Sequence, residues 1–272
     1  MIILKSSSEI DKMRRAGKLV RQVLDAVVDK ADVGMTTISL DEMAEKMIRK
    51  GGAVPAFKGY QPEFVKCGPF PATLCTSIND EVVHGIPDDR PLADGDILSI
   101  DTGVEMDGYF GDAAVSIIVG KAAVNAQSLV QVTRNALDAG IAACRAGNRL
   151  GDISSAIQTV AEASGFSVVR RFVGHGIGTA MHEDPPVPNY GSAGTGPVLK
   201  PGMVLALEPM VNMGGSGVDA SADCWRVVTH DGSLSAHFEH TVAITESGAE
   251  VLTGDNGSGG GATGLDNSGL LA

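Results

Sequence analysis

The chain has 272 residues, 43% hydrophobic and 20% charged, with a formal net charge of −12 at pH 7. This composition builds a globular core without staples, and its acidic balance argues against a nucleic-acid surface or attraction to an anionic membrane. No apolar run approaches the roughly 18 residues of a membrane span, MIILKSSSEIDKMRR is too poor in apolar residues for a signal peptide, and four cysteines scattered without a C-x-x-C suit a reducing compartment, so the cytoplasm is the expected location.

In chain order, Ser8 to about Lys30 reads as a helix: Ile10, Met13, Leu19, Val20, Val23, Leu24 and Val27 recur at helical spacing behind a Ser8 cap. Ser39 to Lys50 reads as a second, with Ser39 and Glu42 as a capping box and Gly51-Gly52 as its stop. Residues 55–72 are rich in Gly, Pro and aromatics and read as an irregular loop. Strand-like runs follow at 73–77, 81–84, 96–103 and 109–119, the last two joined by an Asp107-Gly108 hairpin turn. Helices then fit 123–145 and 152–164, with Gly165 as a stop. Strands fit 167–173, 203–211, 225–229 and 234–245, with Asp231-Gly232 as a further turn. Residues 1–253 read as one catalytic domain with halves at about 1–121 and 122–253, and 254–272 as a Gly/Ser-rich disordered tail.

The strand GDILSIDTG ends its apolar run at Asp101, and a lone buried carboxylate is costly unless it is paired or binds a metal. A second strand does the same. LADGDILSID (92–101) lines up with LKPGMVLALE (199–208), and in each a Gly precedes a carboxylate by six residues. Downstream of each comes an Asp-Gly turn and a further acid, Asp112 in DGYFGD and Glu239 in DGSLSAHFE. A duplicated α-then-β unit brings these four acids together about a pseudo-twofold axis. Left alone they repel one another, and a divalent metal pair resolves the conflict. GHGIGTAMHEDPP (174–186) adds two histidines, which shift the choice toward transition metals, and glycines suited to close backbone approach.

VVHGIP (82–87), Asp101 followed by GYFGD (108–112), GHGIG with HEDP (174–185), MVLALEPM (203–210) and AHFEHT (236–241) together resemble the type I methionine aminopeptidases, over about residues 8 to 253. The resemblance implies an α+β pita-bread fold: two pseudo-twofold-related α/β halves with a central antiparallel curved sheet covered by helices. It implies a metal set of Asp101, Asp112, His175, Glu208 and Glu239, with Asp112 and Glu239 bridging two ions, Asp101 on one side and His175 and Glu208 on the other. The family's ions are iron, manganese, cobalt or zinc, one or two of them. The implied activity is removal of N-terminal methionine from nascent proteins or peptides, preferably before a small second residue, by a metal-activated hydroxide attacking the scissile carbonyl.

By the same resemblance, Glu208 shuttles a proton to the leaving amine, His84 lies near the substrate nitrogen, and His182 donates to the carbonyl oxygen. Counted back from His84, the slot for the methionine side chain takes Phe64, Cys67, Phe70 and Cys75, with Met181 and Trp225 from the second half. A monovalent cation is expected near Asn79 and Ser235. Expected partners are the N-terminal methionine of nascent polypeptides and, transiently, the ribosome, with no nucleic acid, no membrane and a monomeric chain. The chain departs from the family's common residues at Cys67, Phe110, Met181 and His237. His237, two residues before Glu239, is expected on the same strand face and so beside a metal-binding carboxylate.

Two other functions compete. X-Pro peptidases and prolidases share the fold and ligand set, but typically carry an extra N-terminal domain for which a first helix near residue 8 leaves no room. Type II methionine enzymes carry an insert between the histidine and glutamate motifs, whereas only 25 residues separate His182 from Glu208. A catalytically silent pita-bread binding protein is disfavoured because all five ligands are retained.

Overall fold

The first helix, α1 (Ser7–Val28), starts earlier than its expected Ser8 cap. Ser6 is the N-cap, and its N–H donates to the Glu9 carboxylate at 2.7 Å. The second, α2 (Thr37–Lys50), is likewise capped at Thr36, and Ser39 lies inside the first turn, donating to Thr36 O at 2.7 Å. The computed structural model describes residues 1–62 and 68–254, so nearly all of the expected tail lies outside the described residues. After α2 come β1 (Val54–Pro55), β2 (Cys75–Ile78), β3 (Glu81–Val83), β4 (Ile97–Met106) and β5 (Tyr109–Ile118). The second half contains α3 (Val124–Ala143), α4 (Leu150–Ala163), β6 (Ser167–Val168), β7 (Gly174–Gly176), β8 (Glu183–Val187), β9 (Val204–Leu207) and β10 (Met210–Asn212). It ends with β11 (Val218–Ala220), β12 (Val227–Thr229), β13 (Ser235–His237), β14 (Glu239–Thr245) and β15 (Gly248–Val251).

Among the described residues, nine strands form one sheet in the order β1-β4-β5-β14-β9-β7-β8, with β2 also on β4 and β15 also on β14. All its pairings are antiparallel. The order β4-β5-β14-β9 is the duplication made visible: each first-half strand has its second-half counterpart at the mirrored place. The seam between halves is β5 on β14, where Thr241 Oγ1 accepts from Asp112 N–H at 3.1 Å and donates to Asp112 O at 2.8 Å. The β4–β5 turn has Asp107 and Gly108 at φ 52° and 75°, as a two-residue hairpin turn of type I′ requires. Leu98, Ile100 and Val104 of β4 enter the main core with Val20, Leu24, Leu40 and Ile48 of the helices. Alternation along the strand turns Asp101 and Gly103 to the opposite face.

Three expected strands are shorter than the sequence suggests. The run 167–173 is a strand only at β6, 203–211 divides at Glu208-Pro209 into β9 and β10, and 234–245 divides at Phe238 into β13 and β14. The last two interruptions lie side by side: Pro209 has no N–H to give a ladder, and its carbonyl accepts the Phe238 N–H at 3.3 Å. There both segments pass between the large sheet and a small one of order β13-β10-β6. Among the described residues, no helix is long and apolar enough to cross a membrane.

Candidate active site

Five adjacent strands deliver the five expected ligands to one face. Asp101 pairs with Ala114, and Ala114 pairs on its other side with Glu239, forming one row across β4, β5 and β14. Asp112, opposite Gly103, lies two residues from Ala114 and so shares that face. His240 pairs with Leu207, which sets Glu239 beside Glu208 at the end of β9, and His175 pairs with Ala206, two residues before Glu208. Ligand atoms of Asp112, His175 and Glu239 all lie within 4.8 Å of one another, and His175 Nε2 is 3.5 Å from Glu208 Oε1. The GHG motif is what lets β7 lie between its neighbours. A Cβ on Gly174 would come 2.3 Å from Ala206 O, and one on Gly176 would come 2.1 Å from Asp184 O.

The electrostatics of this face fit a cation. Burial, reinforced by the neighbouring carboxylates, holds Asp101, Glu208 and Glu239 well above the ordinary carboxylate range. Burial pushes Asp112 up to about 7, against hydrogen bonds from Asp101 and Ala113 that pull it down. Asp101 Oδ1, Asp112 Oδ1 and Glu239 Oε1 are buried with no hydrogen-bond partner. Such orphaned acceptors are costly unless a cation satisfies them. His175 Nδ1 donates to Gly176 O at 2.9 Å, since a carbonyl can only accept, and this leaves the Nε2 lone pair on the side of Glu208. Burial, with His182 nearby, lowers the His175 pKa to about 3, so the ring is neutral and the contact with Glu208 is no ion pair. Four carboxylates and one neutral imidazole make a divalent-metal donor set, and the donors do not choose among the first-row ions.

Residues 11–246 match metallopeptidase family M24. The chain is 50% identical to a methionine aminopeptidase of Clostridium acetobutylicum over 93% of its own length and 99% of that protein's. It is 48% identical to methionine aminopeptidase 1 of Bacillus subtilis over the same shares. The crystal structure of methionine aminopeptidase from Thermotoga maritima superposes with TM-score 0.90 at 46% identity, covering 94% of this chain and all of that one. The chain belongs to the methionine aminopeptidases of family M24. A prolidase from Pyrococcus furiosus, at 22% identity and TM-score 0.71, shares the fold alone.

In this methionine aminopeptidase chain two more histidines border the metal face. His84 follows β3 in the left-handed region, at φ 59°, and Gly85 after it has no room for a Cβ, which would meet Thr76 O at 2.1 Å. Its ring meets Phe172 and Trp225 edge-on at 5.7 and 6.4 Å, and burial, helped by His182, lowers its pKa to about 4. His182, in the turn between β7 and β8, lies 4.3 Å from the His175 ring, and its Nδ1 is 2.8 Å from Tyr60 Oη. Desolvation lowers its pKa too, although the residue keeps an exposed face.

The expected apolar slot is partly reassigned. Phe70, Cys75 and Trp225 do cluster, with Ala72, Phe57 and Ile86, and the Phe70 and Trp225 rings meet edge-on at 5.2 Å. Cys75 pairs with Asp101, so this wall adjoins the metal face. Met181 packs instead with Ile10, Met13, Tyr109 and Ile177, and only Phe57 touches both groups. Phe64 and Cys67 lie outside the described residues. Counting back from His84 passed over Phe57 and Tyr60, which backbone bonds tie to Phe70: Gly59 N–H donates to Phe70 O, Phe70 N–H to Tyr60 O and Tyr60 N–H to Phe57 O. Phe172 was missed as well, lying in a stretch taken for a plain strand.

His237 does not share a strand with Glu239. The break at Phe238 puts it in β13, paired with Met210 in the small sheet, with its Nε2 buried and unpartnered. Phe110 is half-buried and packs against the Met181 cluster. Asn79 and Ser235 do meet, through Ser235 N–H donating to Asn79 O at 2.8 Å. Their side chains are engaged elsewhere, Asn79 with Asp96 and Ile97 and Ser235 with Asn212 and Val211. Cys75 and Cys144 are free and buried.

Proposed function

We propose that this chain removes N-terminal methionine from peptides and nascent polypeptides, with Asp101, Asp112, His175, Glu208 and Glu239 holding one or two divalent ions. The observation that carries the reading is a five-donor face, four donors buried and Glu208 partly so, with three orphaned carboxylate oxygens, set directly against an apolar wall. An ion held there supplies Lewis acidity to the scissile carbonyl and a lowered pKa to water.

The protein's own groups do the rest. Glu208, as a carboxylate, takes the proton of the attacking water and passes it to the leaving amine. His182 donates to the carbonyl oxygen as charge builds there. His84, neutral at pH 7, faces the scissile nitrogen without adding charge. Phe70, Cys75 and Trp225 grip an unbranched thioether, for which sulfur–aromatic contacts are favourable. Met181 bounds the slot through Phe57; Phe64 and Cys67, assigned to the same slot by the family resemblance, lie outside the described residues. A small second substrate residue is preferred, and transient ribosome association in the cytoplasm supplies nascent chains.

The test is hydrolysis of Met-Ala-Ser by the full chain after adding manganese, cobalt, iron or zinc. Cleavage abolished by a chelator, and slower for a bulky second residue, is the expected result. Hydrolysis of X-Pro dipeptides but not of Met-Ala-Ser would overturn it.

A further inference from the structure

His182 sits in a turn rather than in the sheet. It is exposed in the β7–β8 turn, and its ring neighbours are His175, 4.3 Å away, and Tyr60, 5.3 Å away between centroids. Tyr60 Oη lies 2.8 Å from His182 Nδ1. Tyr60 is itself pinned: its N–H donates to Phe57 O at 2.9 Å, and its carbonyl accepts the Phe70 N–H at 2.8 Å. Gly59 N–H closes the same base onto Phe70 O at 2.8 Å. Phe57 and Phe70 both belong to the apolar wall. One residue therefore joins the wall to the histidine.

A phenol at neutral pH has one O–H to give, and a neutral imidazole carries its single proton on the nitrogen that is not accepting. The hydroxyl's one side-chain partner among the described residues is His182 Nδ1. We propose that Tyr60 is a positioning residue: its O–H donates to His182 Nδ1 and so fixes the ring as the Nε2–H tautomer, presenting that N–H to the substrate carbonyl. The inference rests on the reading of His182 as a donor and adds what makes it one. Without the phenol, the ring divides its population between two tautomers and turns more freely, so the donor is present for only part of the time.

The experiment uses the full chain with 15N-labelled histidine, metal-free and zinc-loaded, and two-bond 15N–1H correlation spectra that read the tautomer of each of the six histidines. H182A assigns the His182 signal. Wild type should show His182 with unprotonated Nδ1 and protonated Nε2, and Y60F should show mixed tautomers. Y60F should lose about three- to ten-fold in kcat on Met-Ala-Ser, the range of one neutral hydrogen bond, with KM changed less and metal content unchanged. A protonated Nδ1 in wild type, or an unaltered His182 signal in Y60F, would overturn the proposal. Full activity in H182A would instead remove the donor role of His182, and the spectra would still decide what Tyr60 does.

Discussion

The two halves of the sheet offer the same device in different settings. In the first, β4 and β5 run unbroken for ten residues each, and both acids sit within the ladder. In the second, β9 stops at Leu207 and β14 begins at Glu239, so both acids sit at the lip where the chain crosses to the small sheet. The neighbours differ as well. Beside β4 lies Cys75 of β2, an apolar wall residue whose thiol burial pushes well above its usual range. Beside β9 lies His175, an imidazole with a free lone pair. On the proposed reading, a duplicated frame thus became a metal face with a substrate side and an imidazole side. Symmetry placed the acids, and the departures from symmetry made the site directional.

Removing an acid at the seam breaks the comparison most severely. Asp112→Asn should abolish metal uptake and activity together, beyond the about 10²–10³-fold in kcat that loss of one oxyanion donor costs. Metal content by atomic absorption alongside Met-Ala-Ser turnover checks this. His182→Ala comes next: kcat should fall by about 10²–10³-fold with metal content unchanged, and equal loss of both would contradict its assigned role.

One substitution can be made in both halves. Gly176→Ala drives a Cβ into the Asp184 backbone carbonyl at 2.1 Å, and nothing flexible can yield. It should cost at least the about 1–3 kcal/mol of overpacking and displace His175. Thermal melting and metal affinity would show it.

The chelated protein tests the acids as a group. Their native pKa values are raised, so the folded state holds more protons than the unfolded one, and stability falls as pH rises. For Asp112 the loss runs from the ordinary 3.8 up to about 7. Tm of the metal-free chain should therefore drop across that window, and bound metal, which needs deprotonated ligands, should reverse the slope. The smallest effect is expected from Gly103→Ala on the substrate side. Its Cβ meets the flexible Met181 terminus at 2.6 Å and Phe57 at 3.0 Å, so a side-chain shift absorbs most of it. Stability should change by less than about 1 kcal/mol, with a few-fold rise in KM for methionyl peptides as the readout.

How much the sequence disclosed follows the same division. Asp101 and Glu208 were legible because an acid closing an apolar run conflicts with burial, and because the conflict occurs twice. Asp107-Gly108 was legible because its turn requires positive φ. The break at Phe238 was not, since nothing in AHFEHT departs from a strand pattern and the interruption lies against Pro209 in the neighbouring segment of the sheet. His237 was misplaced for that reason. Tyr60 was missed because its role depends on backbone bonds to Phe57 and Phe70 that side-chain patterns do not encode.

The β5–β14 seam also sets a schedule. Asp112 and Thr241, which bind one another's groups across it, are 129 residues apart in the chain. Closing so long a loop is an entropically late event, and contacts of this kind slow folding. Asp112 and Glu239 become neighbours only when the seam forms, so the metal face cannot exist in a partly synthesised molecule. A chain still emerging from the ribosome has no complete site until almost its last described strands are out. The enzyme begins life as a polypeptide on which its own chemistry is not yet available.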